Sequence, residues 1–380
     1  MKILIVSDVL GEENNGTTVA AMNLIRFLKK QGHDVRILCP DQDKRGQDGY
    51  YIVDNLSFGK IIDNYIKKVG VALAKPQKNV IEKALEGVDC VHIMLPFALG
   101  KATAKMAKKK GLPITAGFHC QAENITSYLK TNRLKLLNHL VYKYMYNSFY
   151  KYIDAIHYPS QFIKDTFESH IKKQTHGYVI SNGVNEKILK KEVEKTEELK
   201  DKFVILNTGR YAREKSQDVL IKAVKLSKHK DKIQLIFAGQ GTKENEYKML
   251  AKGLPIFPIF KFFSRDEIVD VLNYADMYVH SADIELEGIS CLEAIACGKL
   301  VIVSSSKLSA TRNFAVDDRC IYKNRNAKDL AKTIDYFIEN ENERHLLENK
   351  YLSSASIYNQ NECMHEMENM IKEVFELGRK

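Results

Sequence analysis

Glu285 and Glu293 are separated by seven residues in the stretch ELEGISCLEAIACG (285–298), where small and apolar side chains fill most other positions. Carboxylates are costly to bury without partners, so two at this interval in a segment built for burial suggest a polyhydroxylated ligand. Gly288 breaks the segment, and residues 290–297 read as a short helix whose N-terminal amides face the ligand. Glu293, inside that helix, can point at a vicinal diol, and Glu285, in the loop before it, can accept hydrogen bonds from a second polyhydroxyl ring. Exposed loop acids are the plainer reading, but the flanking Ala, Ile and Cys residues weigh against it.

Cations complement these acids. In NTGRYAREKSQDVL (207–220) a strand ends at Gly209, Arg210 and Lys215 stand in the loop, and Ser216 is positioned to cap the next helix. Two fixed cations beside a helix N-terminus suit a diphosphate. Gly239 and Gly241, in AGQGTKENEY (238–247), repeat the device more weakly. His119 ends the strand AGFHC, and its position at a strand terminus competes with the ordinary structural role of a lone histidine. Gly16, in LGEENNGTTVAAMN (10–23), opens a small-residue helix, either as a plain helix start or as a loop that lets a ligand approach the backbone. It belongs to no G-x-G-x-x-G run, which argues against a nicotinamide cofactor. Asp41-Gln-Asp43 imitates a metal-binding D-x-D but lacks a clustered third ligand, so no metal and no cofactor is expected.

The elements that must position these residues come in two series. KILIVS (2–7), DVRILC (34–39), DCVHIM (89–94), LPITAGF (112–118) and DAIHYP (154–159) read as buried strands, with helical periodicity between most of them, as at 17–31 and 98–110. The pattern restarts with KFVILNTG (202–209), IQLIFAG (233–239), MYVH (277–280) and KLVIVS (299–304), separated by helical segments 216–228, 243–251, 265–275 and 326–338. Such alternation predicts parallel sheets covered on both faces, and two series predict two doubly wound Rossmann-like domains facing across a cleft. The charged stretch 186–202 marks the join, and Met364, Met367, Ile371, Val374 and Phe375 stripe a final helix. The expected domains are 1–182, 183–350 and a C-terminal helical segment, 351–380.

With 380 residues, 44% of them apolar, the chain is long enough for two cores. Its seven cysteines are scattered, odd in number and without a C-x-x-C pair, as in a reduced, cytoplasmic protein. No apolar run is long enough to span a bilayer, and the apolar N-terminus, interrupted by Asp8, reads as a buried first strand. The net charge of +10 lies wholly in the first half: residues 1–182 hold 26 basic and 16 acidic side chains, and the remainder 32 of each. Residues 101–173 alone carry 13 basic against 4 acidic side chains. Lys108, Lys109, Lys110, Lys130, Arg133, Lys135 and Lys143 in that segment suit an anionic membrane surface. In 129–152, Leu129, Leu136, Leu137, Leu140, Val141, Tyr144 and Met145 form one helical face, expected to pack on the domain. The tyrosines of 142–152 and Lys143 are left for a bilayer interface. A core helix with a merely solvated outer face is the competing reading.

E-x7-E, from Glu285 to Glu293, and the Arg210/Lys215 pair make the chain resemble a retaining glycosyltransferase of family 4, with the two-domain arrangement called GT-B. The resemblance spans the chain from Gly16 to the final helix, and it implies that this helix returns to the first domain. In such enzymes the residue matching Glu285 contacts the transferred sugar and that matching Glu293 the nucleotide ribose. The Arg and Lys hold the diphosphate, with backbone amides here belonging to Ile289 and Ser290, after Gly288. A histidine matching His119 lies beside the sugar. Glu287 replaces an aromatic common two residues after the first Glu, and the resulting E-x-E-G is similar to that of bacterial diacylglycerol glucosyltransferases. The resemblance implies metal-independent transfer of glucose from UDP-glucose to a membrane lipid such as diacylglycerol. The protein would then be peripheral on the inner face of the cell membrane. A soluble sugar or polysaccharide acceptor is the alternative within the class. A sugar-nucleotide epimerase would need more acid–base groups than His119. A nucleic-acid-binding protein would leave Arg210, Lys215, Glu285 and Glu293 unexplained, so no nucleic acid is expected.

Overall fold

The computed structural model describes residues 1–8, 10, 16–56, 74–128 and 134–378. It divides into two compact units, residues 1–182 with 361–380, and residues 183–360. Each is built on a parallel sheet whose strands are apolar on both faces, the pattern that buried α/β sheets require.

In the first unit the strands are β1 (Lys2–Val6), β2 (Asp34–Cys39), β3 (Tyr50–Ile52), β4 (Cys90–Ile93), β5 (Ile114–Gly117), β6 (Ala155–Tyr158) and β7 (Gly177–Val179). They lie in the order β3-β2-β1-β4-β5-β6-β7, so strand order reverses between β1 and β4. The helices are α1 (Gly16–Lys30), α2 (Lys78–Ala84), α3 (Ala98–Lys109), α4 (Ala122–Tyr128), α5 (Lys135–Ser148) and α6 (Gln161–Ile171). Asp8, which interrupts the first apolar run, caps α3: its carboxylate accepts the Leu99 and Gly100 amides at 3.0 and 3.2 Å. Burial outweighs these bonds and the nearby Lys101, pushing its pKa up to about 7.

The second unit has β8 (Phe203–Thr208), β9 (Ile233–Ala238), β10 (Ile259–Lys261), β11 (Met277–His280), β13 (Val301–Ser304) and β15 (Ile321–Tyr322) in the order β10-β9-β8-β11-β13-β15. A two-residue ribbon, β12 (Ile284–Glu285) with β14 (Leu308–Ser309), stands apart from this sheet. The helices are α7 (Gln217–Leu226), α8 (Glu244–Ala251), α9 (Arg265–Tyr274), α10 (Ile289–Ala296), α11 (Ala327–Glu339) and α12 (Glu341–Ser354). Here the order reverses between β8 and β11, which pair in parallel with Met277 opposite Ile205. Open α/β sheets bind ligands at the carboxyl ends of strands flanking such a reversal.

The last helix, α13 (Gln360–Leu377), belongs to the first unit. Its Met364, Met367 and Ile371 share one buried core with Ala21, Leu24 and Leu28 of α1 and Ile3 and Ile5 of β1. His33 donates through Nε2 to Glu368 at 2.8 Å, tying α13 to the loop before β2. Tyr351 and Tyr358 pack within the second unit's core instead. Among the described residues no helix is long and apolar enough to cross a membrane.

Candidate functional site

Two loops, one after β8 and one after β11, meet at the strand-order reversal of the second unit. The first leaves β8 through Gly209, whose φ of 141° favours glycine. Tyr211 anchors it, buried and donating its hydroxyl to the Phe237 carbonyl at 2.6 Å, and Gln217 donates to the Arg210 carbonyl at 3.0 Å. Gly239 and Gly241 bring their loop against the one that follows β8. A Cβ at Gly239 would fall 2.1 Å from the Gly209 carbonyl oxygen, and one at Gly241 2.5 Å from that of Tyr211. The room they leave is filled by the neighbouring loop. Ser216 differs from expectation. It occupies the N-cap position of α7, but its φ of 53° turns the side chain away, and it makes no cap bond.

The second loop is tied to the first along its length. Ser281 donates to the Lys215 carbonyl at 2.8 Å, and the Asp283 amide to the Glu214 carbonyl at 2.8 Å. Asp283 is buried and accepts from Asn324 Nδ2 at 2.6 Å, Arg325 Nη2 at 2.7 Å and Ser306 Oγ at 3.1 Å. Beyond it, Glu285 Oε2 pairs with Lys215 Nζ and accepts from His280 Nε2 at 3.2 Å. Burial alone would raise the Glu285 pKa, but the Lys215 ammonium and the His280 bond hold it down at about 2. Arg210 pairs with Glu214 at 2.8 Å on the same loop.

Gly288 ends the second loop with a φ of 97°, and a Cβ there would lie 2.4 Å from Thr311 Cγ2, so only glycine fits. Helix α10 starts at the next residue with no side-chain cap bond. The amides of Cys291 and Leu292 return to the Gly288 carbonyl, while those of Ile289 and Ser290 precede the first intrahelical bonds. Glu293 lies one turn further along, where burial, opposed by Arg265, pushes its pKa up to about 7. In the second unit Glu285 therefore lies between Lys215 and a buried histidine, His280, that the sequence reading passed over.

His119 and Gly16 lie in the first unit. The His119 ring sits over Gly117, where a Cβ would come 2.3 Å from its Nε2, and meets the His157 ring edge-on with centroids 5.4 Å apart. Among the described residues its buried Nε2 has no hydrogen-bond partner. Burial, with His157 and His92 nearby, lowers its pKa well below 6.5, so the imidazole is neutral near pH 7. Gly16 is the first residue of α1, and among the described residues a Cβ there would touch nothing within 4 Å. Asp41 accepts the Asp43 amide at 3.3 Å and caps a 3-10 turn. Among the described residues no group of three His, Cys, Asp or Glu is placed to hold a metal.

The helical face assigned to residues 129–152 needs correction. Leu136, Leu140 and Tyr144, expected to pack inward, are 73%, 54% and 63% exposed. Met145 of that face is buried and Leu137 and Val141 are half-buried, but Asn138 and Tyr142 complete the buried face of α5 in place of the others. The reason is polar pairing inside the unit: Tyr142 donates to Glu123 at 2.6 Å, and Thr126 donates to Asn138 at 2.8 Å. These bonds rotate the helix so that its leucines face solvent. Of the tyrosines expected at an interface, Tyr142 and Tyr150 are buried, whereas Tyr144 is exposed with Lys101 Nζ 4.3 Å from its ring centroid. Lys109, Lys110, Lys135 and Lys143 are exposed, and Lys108 pairs with Asp154 at 2.7 Å. Lys130, Arg133 and Leu129 lie outside the described residues.

Comparison with known proteins agrees with this architecture. Residues 14–187 match the model of Glycosyltransferase Family 4, and residues 188–351 that of Glycosyl transferases group 1. The alpha-monoglucosyldiacylglycerol synthase of Streptococcus pneumoniae is 25% identical over 319 residues, covering 80% of this chain and 70% of that protein. The enzyme of the same name from Acholeplasma laidlawii is 24% identical over 320 residues, covering 80% of each. Among solved structures, sucrose-phosphate synthase from Thermosynechococcus elongatus superposes with a TM-score of 0.77 at 15% identity, covering 99% of both chains. At that identity the likeness is one of fold.

Proposed function

The chain belongs to glycosyltransferase family 4, and on that premise we propose that it transfers glucose from UDP-glucose to a lipid hydroxyl at an anionic membrane surface. The observation that carries the reading is the Lys215–Glu285 pair beside the uncapped N-terminus of α10. A nucleoside diphosphate sugar needs cations and amides at its diphosphate and carboxylates at its hydroxyls, and these two loops supply both. Lys215, Arg210 and the amides of Ile289 and Ser290 stabilise charge on the departing diphosphate, the kind of preorganised electrostatics that dominates such steps. Glu285 accepts from the sugar and Glu293 from the ribose. The bond from the anomeric carbon to the diphosphate oxygen breaks as the acceptor oxygen attacks from the same side, so the anomeric configuration is kept. The acceptor proton leaves with the diphosphate. The charge is carried by these groups without a metal.

The lipid acceptor is favoured by the names of the two synthases together with the exposed face of α5, where Leu136, Leu140 and Tyr144 stand among lysines. Such a face suits the interface of an anionic bilayer and a peripheral protein on its cytoplasmic side. A soluble sugar acceptor is the second reading, since sucrose-phosphate synthase shares the fold. Incubation with labelled UDP-glucose, and separately with diacylglycerol vesicles or soluble sugars, decides between them. The expected result is a chloroform-soluble product that survives excess chelator. Label transferred only to the soluble sugars, or activity abolished by chelation and restored by manganese, would reject the corresponding part of the proposal.

A further inference from the structure

We propose that His280 is a positioning residue that fixes the carboxylate of Glu285. The inference rests on the role given to Glu285 above. His280 ends β11 and is only 2% exposed. Its Nε2 lies 3.2 Å from Glu285 Oε2, and its Nδ1 lies 3.3 Å from the Tyr278 hydroxyl. That hydroxyl is 2.9 Å from Thr208 Oγ1 and 3.1 Å from Ser290 Oγ. A buried chain therefore runs from Glu285 through His280 and Tyr278 to Ser290, at the amides that would meet the diphosphate.

The chemistry of the partners assigns the direction of the first link. An ionised carboxylate only accepts, so Nε2 carries the proton and donates to Glu285. Lys215 Nζ bonds the same oxygen, Oε2, and two donors on one oxygen leave the Oε1 lone pairs for a sugar hydroxyl. Without His280 the carboxylate keeps its charge partner but loses the second contact that fixes its rotation about the last torsion, which is intrinsically broad for glutamate. A misplaced group that acts in the transition state costs rate more than ground-state affinity.

Three variants test this. Glutamine can place an amide N–H where Nε2 stood, whereas asparagine is too short to reach Glu285 and alanine removes the contact. His280→Ala and His280→Asn should lower kcat about 10- to 100-fold, the range lost when groups orienting a site's ligands are removed. His280→Gln should recover most of that loss. UDP affinity by calorimetry should stay within about twofold in all three, because only the carboxylate facing the sugar is disturbed. Glu285→Gln is the control for the underlying reading: if it keeps wild-type kcat, the role of Glu285 fails and this inference with it. If Glu285→Gln is inactive while His280→Ala retains wild-type kcat, the positioning role alone is overturned. Loss of UDP affinity in parallel with kcat in His280→Ala, without rescue by glutamine, would also overturn it, because His280 would then be a packing residue.

Discussion

Lys215 Nζ and Glu285 Oε2 form an ion pair that joins the loop after β8 to the loop after β11 at the strand-order reversal of the second unit. The pair gives Lys215 a role besides the one proposed for it at the diphosphate, because it also keeps Glu285 ionised in a buried setting.

The losses from removing the two members should therefore not add. Lys215→Ala strands the Glu285 carboxylate without its cation, and burial then drives the pKa of Glu285 upward. We expect a stability loss of about 2 kcal/mol, below the range for fully buried pairs because both side chains keep some exposure. Turnover should fall by roughly two orders of magnitude. The double variant Lys215→Ala/Glu285→Ala should unfold in urea with a loss smaller than the two single losses combined, by about 1 kcal/mol. Additive losses would show that the pair is not coupled. Arg210, more exposed and paired to Glu214, should lose rate on replacement by Ala with little change in stability.

Glu293 should make nucleotide affinity depend on pH. Burial holds its pKa up at about 7, so at pH 6 it is largely protonated and at pH 8 largely ionised. The ionised form is the better acceptor for a ribose diol. UDP should therefore bind wild type more tightly at pH 8 than at pH 6 by calorimetry, and Glu293→Gln should lower affinity at pH 8 and remove most of that difference. Because the folded pKa lies above the ordinary 4.5, the same group contributes stability that is present below pH 4.5 and lost as pH rises toward 7. An unchanged pH dependence in Glu293→Gln would assign the affinity change to another group.

How far the site could be read in advance depended on whether a residue's neighbours were near in sequence. Glu285, Gly288 and Glu293 lie within nine positions, so the glycine break and the short helix were legible from their spacing. The Lys215–Glu285 contact was not, because it depends on β8 and β11 being adjacent although β9 and β10 intervene in sequence. His280 carried a usable signal, a polar residue ending an apolar strand, of the kind that singled out His119. The rotation of α5 was hidden for another reason. Counting leucines as inward ignores that Asn138 and Tyr142 can be buried when Thr126 and Glu123 satisfy them. The short strands β3, β7, β10 and β15 carry only two or three residues each, too few for a periodicity to emerge.

The first unit should weaken in mild acid. His92, His119 and His157 lie on one face of β4–β6: His92 Nδ1 is 2.9 Å from Thr115 Oγ1, and His157 Nε2 is 2.7 Å from the Ile180 carbonyl. Burial lowers the pKa of His92 to about 3 and of His157 to about 4, and that of His119 well below 6.5. The unfolded chain takes up these protons from pH 6.5 downward while the folded unit does not. The stability gained by keeping them neutral is thus full above pH 6.5 and lost progressively toward pH 3 to 4. Each histidine should contribute a slope of about 1.4 kcal/mol per pH unit within that window. Urea unfolding followed by circular dichroism between pH 7.5 and 5 should show the decline, and His92→Gln should reduce its slope. The same slope in wild type and variant would mean that His92 takes no part.

Membrane docking should separate into a salt-sensitive and a salt-resistant component, because the face of α5 is both basic and apolar. A lysine near an anionic surface contributes about 1 kcal/mol, and that attraction is screened over roughly 10 Å at 0.1 M salt. Changing Lys109, Lys110, Lys135 and Lys143 to Ser should sharply reduce sedimentation with phosphatidylglycerol vesicles at low salt, and high salt should have the same effect on wild type. Leu136→Ser/Leu140→Ser/Tyr144→Ser removes side chains that are already exposed, so the fold should tolerate it. That variant should lose the fraction of binding that survives high salt, since insertion of apolar side chains is not screened. UDP affinity should be unchanged in both variants, because the donor residues belong to the other unit. Lys108, paired with Asp154, should contribute less than its neighbours. If wild type ignores anionic vesicles at low salt and yet glucosylates a soluble sugar efficiently, the lipid acceptor is wrong and α5 presents its leucines to something other than a bilayer.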